Sequence, residues 1–263
     1  MKEIVEGISH TTTNKDVKFW ASRAKKYENL EWATRSEYLK LVVEAGQFQK
    51  TDRVLDVGTG TGIIAHAVAP LVESVSAIDI CPDMLKKART QELPNTEYKI
   101  GDAYSIPYNE NTFDKLTARM VFHHLVINTQ SAMNECCRVI KNGGMMILSE
   151  GVPPSQHVEP FYTEMFKLKE DRITFFETDL EQLLIKAGFK KIKKVIHFSR
   201  GSSIRNWLQN SNLPQSTQDQ IFKMHLDLDE QGKKDYNMVV KDNDCFIDMK
   251  FVILTGIKNG QVT

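Results

Sequence analysis

From about residue 50 onward, short apolar runs alternate with stretches whose apolar positions recur every three or four residues. RVLDV (53–57) is followed by the helical pattern IIAHAVAPLV, and SVSAIDI by PDMLKKART. TEYKI, FDKLTARMVF, the helical TQSAMNECCRVIK and then GGMMILSEG continue the rhythm. Runs apolar on both faces, separated by helices, predict a mostly parallel sheet covered on two sides and wound by right-handed crossovers.

Residues 14–49 precede this core and read as helix, with Phe19, Trp20, Ala24 and Tyr27, then Tyr38, Leu41, Val42 and Ala45 at helical spacing. Gly46 is expected to stop the second helix. The rhythm breaks at 152–177, which holds Pro153, Pro154 and Pro160, and resumes with the helix DLEQLLIKAGF and the strand KKIKKVIHF. Residues 201–244 read as two or three polar helices, and CFIDMKFVILTGIK as a closing strand. The expected organisation is an N-terminal helical cap at 1–50 and an α/β core at 51–200 carrying an insertion at 152–177. A second helical insertion spans 201–244, and 245–263 complete the core sheet. Such insertions commonly form a lid.

Charge and composition remove whole classes. Lys plus Arg and Asp plus Glu are 34 each, giving a formal net charge of zero. Nucleic-acid binding usually needs a basic excess, and the Lys-rich stretch 186–194 reads as a solvated helix end and strand edge. No apolar run approaches the roughly 20 residues of a membrane span, and the first twenty residues lack the core of a secretory signal. The four cysteines, Cys81, Cys136, Cys137 and Cys245, have no CxxC spacing. Reduced thiols and a cytoplasmic location are therefore expected. The histidines other than the adjacent pair lack ligand spacing, so no metal is expected.

The strongest chemical signal is VLDVGTGTGI, a strand delivering the chain to Gly58, Gly60 and Gly62 just before a helix. Glycine admits positive φ and lets a ligand approach the backbone. The third glycine falls one residue too early for the G-x-G-x-x-G of nicotinamide enzymes. Asp79 ends the second strand, where a carboxylate can accept from ribose hydroxyls, and Gly101-Asp102-Ala103 follows the third. Together these features point to an adenosine-containing ligand.

VLDVGTGTG, AIDICPDML, GDA, FDKLTARMVFHHL and RVIKNGGMMIL, in this order, resemble class I S-adenosylmethionine-dependent methyltransferases, near the ubiquinone/menaquinone C-methylase-like group of small-molecule enzymes. The resemblance covers about residues 20–200. It implies a Rossmann-like, seven-stranded, mostly parallel sheet whose last strand is antiparallel, between the fifth and sixth positions, with helices on both faces and a helical lid. It places Asp56, Gly58, Thr59, Gly60 and Gly62 around the methionyl part of S-adenosylmethionine. Asp79 falls on the ribose, Ile80 and Met84 beside the adenine, and Asp102 on its amino group with Ala103 adjacent. Ala118 and Arg119 lie at the methionyl end, and Tyr27 closes over the cofactor.

The N/D-P-P-Y/F motif of base N-methylation is replaced by ARMVFHHL, so the expected partner is a small molecule. Transfer to oxygen (hydroxyl, carboxylate or phosphate) is expected. C-methylation of a quinone-like or polyketide ring, or an adenosyl-binding protein without turnover, are the alternatives. His123 is expected to be a general base; its neighbour His124 should diverge and serve structure. Arg172, Arg200 and Arg205, in or near the insertions, are candidates to hold an anionic substrate.

Overall fold

The structure, a computed structural model, describes residues 14–91 and 93–259. Residues 1–13 of the expected cap and 260–263 of the closing segment lie outside the described residues.

The stretch expected as helix over 14–49 is broken into α1 (Asn14–Arg23), a 3-10 turn at Tyr27–Asn29, α2 (Glu31–Thr34) and α3 (Ser36–Gly46). Leu30 (ψ 108°) and Arg35 (ψ 118°) are extended and interrupt it. The left-handed residue after α3 is Gln47 (φ 46°), not Gly46. Gly46 is needed for space instead, because a Cβ there would lie 2.3 Å from the Phe48 ring.

The core runs β1 (Arg53–Val57), α4 (Ile63–Val68), β2 (Ser74–Asp79), α5 (Pro82–Ala88), β3 (Thr96–Ile100) and β4 (Phe113–Arg119). A 3-10 turn at Phe122–His124 leads to α6 (Thr129–Val139) and β5 (Ile140–Val152). Asn128 caps α6 by accepting the Ser131 N–H at 3.1 Å, an arrangement worth about 1 kcal/mol. Then come α7 (Glu159–Lys167), α8 (Glu177–Lys186), β6 (Phe189–Ser203), α9 (Ile204–Gln209), α10 (Gln215–Leu226), α11 (Glu230–Asp235), β7 (Val239–Lys241) and β8 (Asp244–Lys258).

The sheet order is β3-β2-β1-β4-β5-β8-β6, with β1 to β5 parallel and β8 antiparallel to both its neighbours. Seven strands thus form the expected path. An eighth, β7, was not anticipated and folds back on β8 through Asp242 and Asn243, both left-handed (φ 51° and 58°). One face of the sheet packs Leu55, Leu116, Phe122 and Met133; the other packs Tyr38, Val54, Ile64 and Val75. A separate apolar cluster joins Leu30 and Ala33 to Tyr162 and Phe166 of α7, Trp207 of α9, Ile221 of α10 and Ile247 of β8. Both segments that interrupt the strand rhythm therefore pack with the N-terminal pieces, above one end of the sheet. No helix among the described residues is long and apolar enough to cross a membrane.

Candidate active site

Parallel order brings the carboxyl ends of β1, β2 and β4 to one edge, where open α/β sheets bind ligands. Gly58 (φ 65°) and Gly60 (φ 55°) turn the chain there. A Cβ on Gly60 would meet nothing within 4 Å, so its bare backbone faces open space. Asp79 reaches over from β2: its Oδ2 accepts the Gly60 N–H at 2.8 Å and its Oδ1 the Cys81 N–H at 2.9 Å. Asp56 Oδ1 accepts from the Thr117 hydroxyl at 2.7 Å, while its Oδ2 is buried without a hydrogen-bond partner. Burial raises the pKa of both acids to about 6.

These groups line a cavity of about 420 Å³. Tyr27, Thr59, Ile80, Met84, Asp102, Ala103 and Arg119 share its wall, and Asp102 accepts the Tyr104 N–H at 2.9 Å. Two expected residues are not on it. Gly62 (φ 86°) begins α4, and a Cβ there would meet the His66 ring at 2.7 Å. Ala118 faces the core with Leu116, while Arg119, on the opposite face of β4, reaches the cavity. Strand alternation separates the two.

A second cavity, of about 100 Å³, adjoins the first and shares Trp20, Tyr27, Met120, His124, Lys169 and Glu170 with it. Its wall is mainly aromatic and aliphatic, with Trp32, Tyr162, Phe166, Trp207, Tyr236 and Phe251. His123 lies on it, on the 3-10 turn after β4. Glu150, near the end of β5, organises that turn. Its Oε1 accepts the Val121 and Phe122 N–H groups at 2.9 and 2.7 Å, and its Oε2 lies 2.5 Å from His123 Nδ1.

Glu150, when ionised, accepts from Nδ1 and leaves Nε2 with a lone pair. Burial holds both histidines well below the ordinary imidazole range, Arg172 adding to the effect on His123 and His123 to that on His124; burial also raises Glu150 to about 7. The pair does not diverge as expected. The rings lie 3.9 Å apart, His124 packs edge-on to Trp20 at 4.6 Å, and both line the inner cavity. In a 3-10 turn successive side chains step by about 120°, not the 180° of a strand.

The sequence reading missed Glu150 and the buried charges Arg23, Lys169 and Glu170. Glu150 left one trace, an acid inside the otherwise apolar run MMILSEGV. Of the three candidate arginines only Arg172 lines the inner cavity. Arg200 is exposed, and Arg205 stacks on Phe222 at 4.1 Å.

A strand–glycine–helix turn, facing acids at two strand tips and a closing strand, β8, run backwards through the sheet define a nucleoside-cofactor enzyme of the Rossmann-like type. The comparisons agree. A family model described as a methyltransferase domain matches residues 55–148. The chain is 30% identical over 199 residues to a demethylmenaquinone methyltransferase of Staphylococcus epidermidis, covering 64% of this chain and 82% of that protein. It is 23% identical over 247 residues to the uncharacterised methyltransferase YcgJ of Bacillus subtilis, covering 91% and 97%. The crystal structure of YcgJ matches 84% of this chain and 98% of its own with a TM-score of 0.76. A Haemonchus contortus phosphoethanolamine N-methyltransferase 2, solved with S-adenosylhomocysteine, matches 93% and 60% with a TM-score of 0.63 at 15% identity. The chain spans 42–59% of the length of several other curated relatives. It belongs to the S-adenosylmethionine-dependent methyltransferases. It is an enzyme, and its methyl donor is S-adenosylmethionine.

Proposed function

We propose that the larger cavity holds the cofactor and the inner cavity the reacting part of a small hydroxylated acceptor, which is methylated on oxygen. The donor set fits the cofactor: a bare glycine turn, a buried carboxylate oxygen without a partner on Asp56, and a second carboxylate fixed by the backbone at the tip of β2. Asp79 would hold the ribose hydroxyls, and Asp56 with Gly58, Thr59 and Gly60 the methionyl part. Asp102 would meet the adenine amino group, with Ile80, Met84 and Ala103 beside the ring. Tyr27 and Arg119 would close the remaining wall. The helical segments α7 and α9–α11, with the N-terminal pieces, would act as the lid.

When bound, S-adenosylmethionine supplies an electrophilic methyl group on a sulfonium. The chain aligns the acceptor, excludes water and manages its proton. His123 Nε2 takes the hydroxyl proton, and Glu150 on Nδ1 fixes the tautomer and stabilises the imidazolium as it forms. The buried His123–Glu150 contact on the wall of the inner cavity carries this reading. A second reading is favoured by relatives named demethylmenaquinone methyltransferase. The same dyad would ionise a ring hydroxyl, and the adjacent carbon would receive the methyl.

Incubation with methyl-labelled cofactor and a panel of phenols, hydroquinones and catechols tests both readings. A methyl ether supports transfer to oxygen, a ring methyl supports the second reading, and methylation of carboxylic acids alone would sink both.

Two binding results are expected. Asp79→Ala should weaken S-adenosylhomocysteine binding by about 1–3 kcal/mol in titration calorimetry, because a charged acceptor is lost; wild-type affinity would remove Asp79 from the site. Asp56 and Asp79, raised to about 6, accept best when ionised. Wild-type affinity should therefore hold at pH 7.5 and fall several-fold as the pH is lowered through 6. An affinity unchanged at pH 5.5 would mean that neither carboxylate meets the ligand as an anion.

A further inference from the structure

The inner cavity holds a cluster of buried charge that proton transfer does not use. Arg23, Lys169 and Arg172 surround Glu170. Arg23 Nη1 is 2.7 Å and Arg172 Nη1 3.6 Å from its carboxylate, and Lys169 also pairs with it. All four side chains are at least nine-tenths buried. Three basic groups thus face Glu170, although burial lowers Lys169 to about 7. Of the other acids, Glu150 is engaged by two backbone N–H groups and His123, and Asp171 lines the larger cavity.

Buried charges are normally paired, because an unpaired one costs several kcal/mol. Arg172 is only partly satisfied. It stacks on Phe166 at 4.0 Å and its Nη2 donates to the Tyr162 hydroxyl at 3.5 Å, but its buried Nε has no hydrogen-bond partner. A guanidinium offers five donors in a planar fork suited to a carboxylate or a similar oxyanion.

A cation is the competing occupant, since ligand atoms of His123, His124 and Glu170 lie within 4.8 Å of one another. It would sit among three basic side chains and compete with them for Glu170. Electrostatics therefore favours an anion.

We propose that the acceptor carries an anionic group of carboxylate size on a flat apolar frame, received in the inner cavity by Arg172 with Lys169. The surrounding aromatic wall suits such a frame. An apolar cavity of about 150 Å³ holds benzene, and the inner cavity, at about 100 Å³ and adjoining the larger one, is of similar order. The inference rests on the assignment of the two cavities to cofactor and acceptor.

The test uses benzoate and benzamide, equal in shape and different in charge, titrated into the full chain with S-adenosylhomocysteine present and followed by ligand-observed NMR. Benzoate should bind at least tenfold tighter than benzamide. Arg172→Gln should abolish that preference, and Arg172→Lys should keep most of it. Should Arg172→Gln not fold, the wild-type comparison and Arg172→Lys decide. Equal binding of the two probes, no binding of either at 10 mM, or a preference surviving in Arg172→Gln overturns the proposal. So does stoichiometric Zn²⁺ binding that is lost in His124→Ala. S-adenosylhomocysteine affinity is measured in the same samples. If it is retained without a benzoate preference, only the anionic acceptor falls; if the wild type does not bind it, the cavity assignment falls too.

Discussion

His123→Ala should lower kcat by about 10²-fold or more while leaving S-adenosylhomocysteine affinity unchanged. A positioned base is worth roughly 10²–10⁴-fold when the nucleophile must lose a proton. Burial keeps the imidazole neutral at cellular pH, and its Nε2 is an acceptor when Glu150, raised to about 7, is ionised. The larger cavity does not include His123 in its wall, so cofactor binding has no reason to change. His124 lines both cavities and packs on Trp20, and His124→Ala should raise KM for the acceptor more than it lowers kcat. Steady-state kinetics on any accepted phenol separates the two. A His123→Ala enzyme retaining more than about a third of wild-type kcat would mean that the acceptor arrives already ionised.

Glu150→Ala and Glu150→Gln should part stability from turnover. The alanine variant leaves the Val121 and Phe122 N–H groups and His123 Nδ1 without their acceptor inside the protein. At about 1–3 kcal/mol for each orphaned group, a loss near 3 kcal/mol or more is expected. That lowers Tm by about 6–12 °C in a chain of this size. Glutamine retains an oxygen for the two backbone donors but presents an N–H to His123, forcing the other tautomer. It should fold near wild type with kcat reduced at least tenfold.

The pH dependence of stability provides a further check. Glu150 is raised from 4.5 to about 7, so the stability it contributes is complete below 4.5 and is lost as the pH rises through 7. Between pH 5 and 8 the wild type should lose Tm relative to Glu150→Gln. A constant difference across that range, or wild-type kcat in Glu150→Gln, would remove the dyad.

The glycine turn, the acid at the tip of β2 and the alternation of strands and helices were readable because each is local: a turn needs particular residues, and a buried strand needs an apolar run. The alternation in KLTAR separates Leu116 and Ala118 from Thr117 and Arg119, but it does not say which of the two faces meets the cavity. Glu150 and Glu170 belong to no motif; the partners of Glu150 lie 27 to 29 residues away, and Glu170, beside Lys169 and Arg172, meets Arg23 from 147 residues away. The β7 turn did carry a signal, Asp242-Asn243 between short runs, but the polar helices before it masked it. The meeting of His123 and His124 depends on a 3-10 turn whose shape Glu150 fixes.

The position of β8 has a consequence for how the protein comes into being. β6 is an edge strand whose partner is β8, and β8 also pairs with β5. The ribosome releases β6 about forty residues before its partner, so one side of the sheet waits, with the flank of β5 uncovered, until residues 244–258 emerge. The half with the glycine turn, β1 to β4, can already be assembled by then. Nascent chains stalled before residue 244 should therefore carry an ordered β1–β4 half with a sticky, unpaired border, a natural substrate for chaperones.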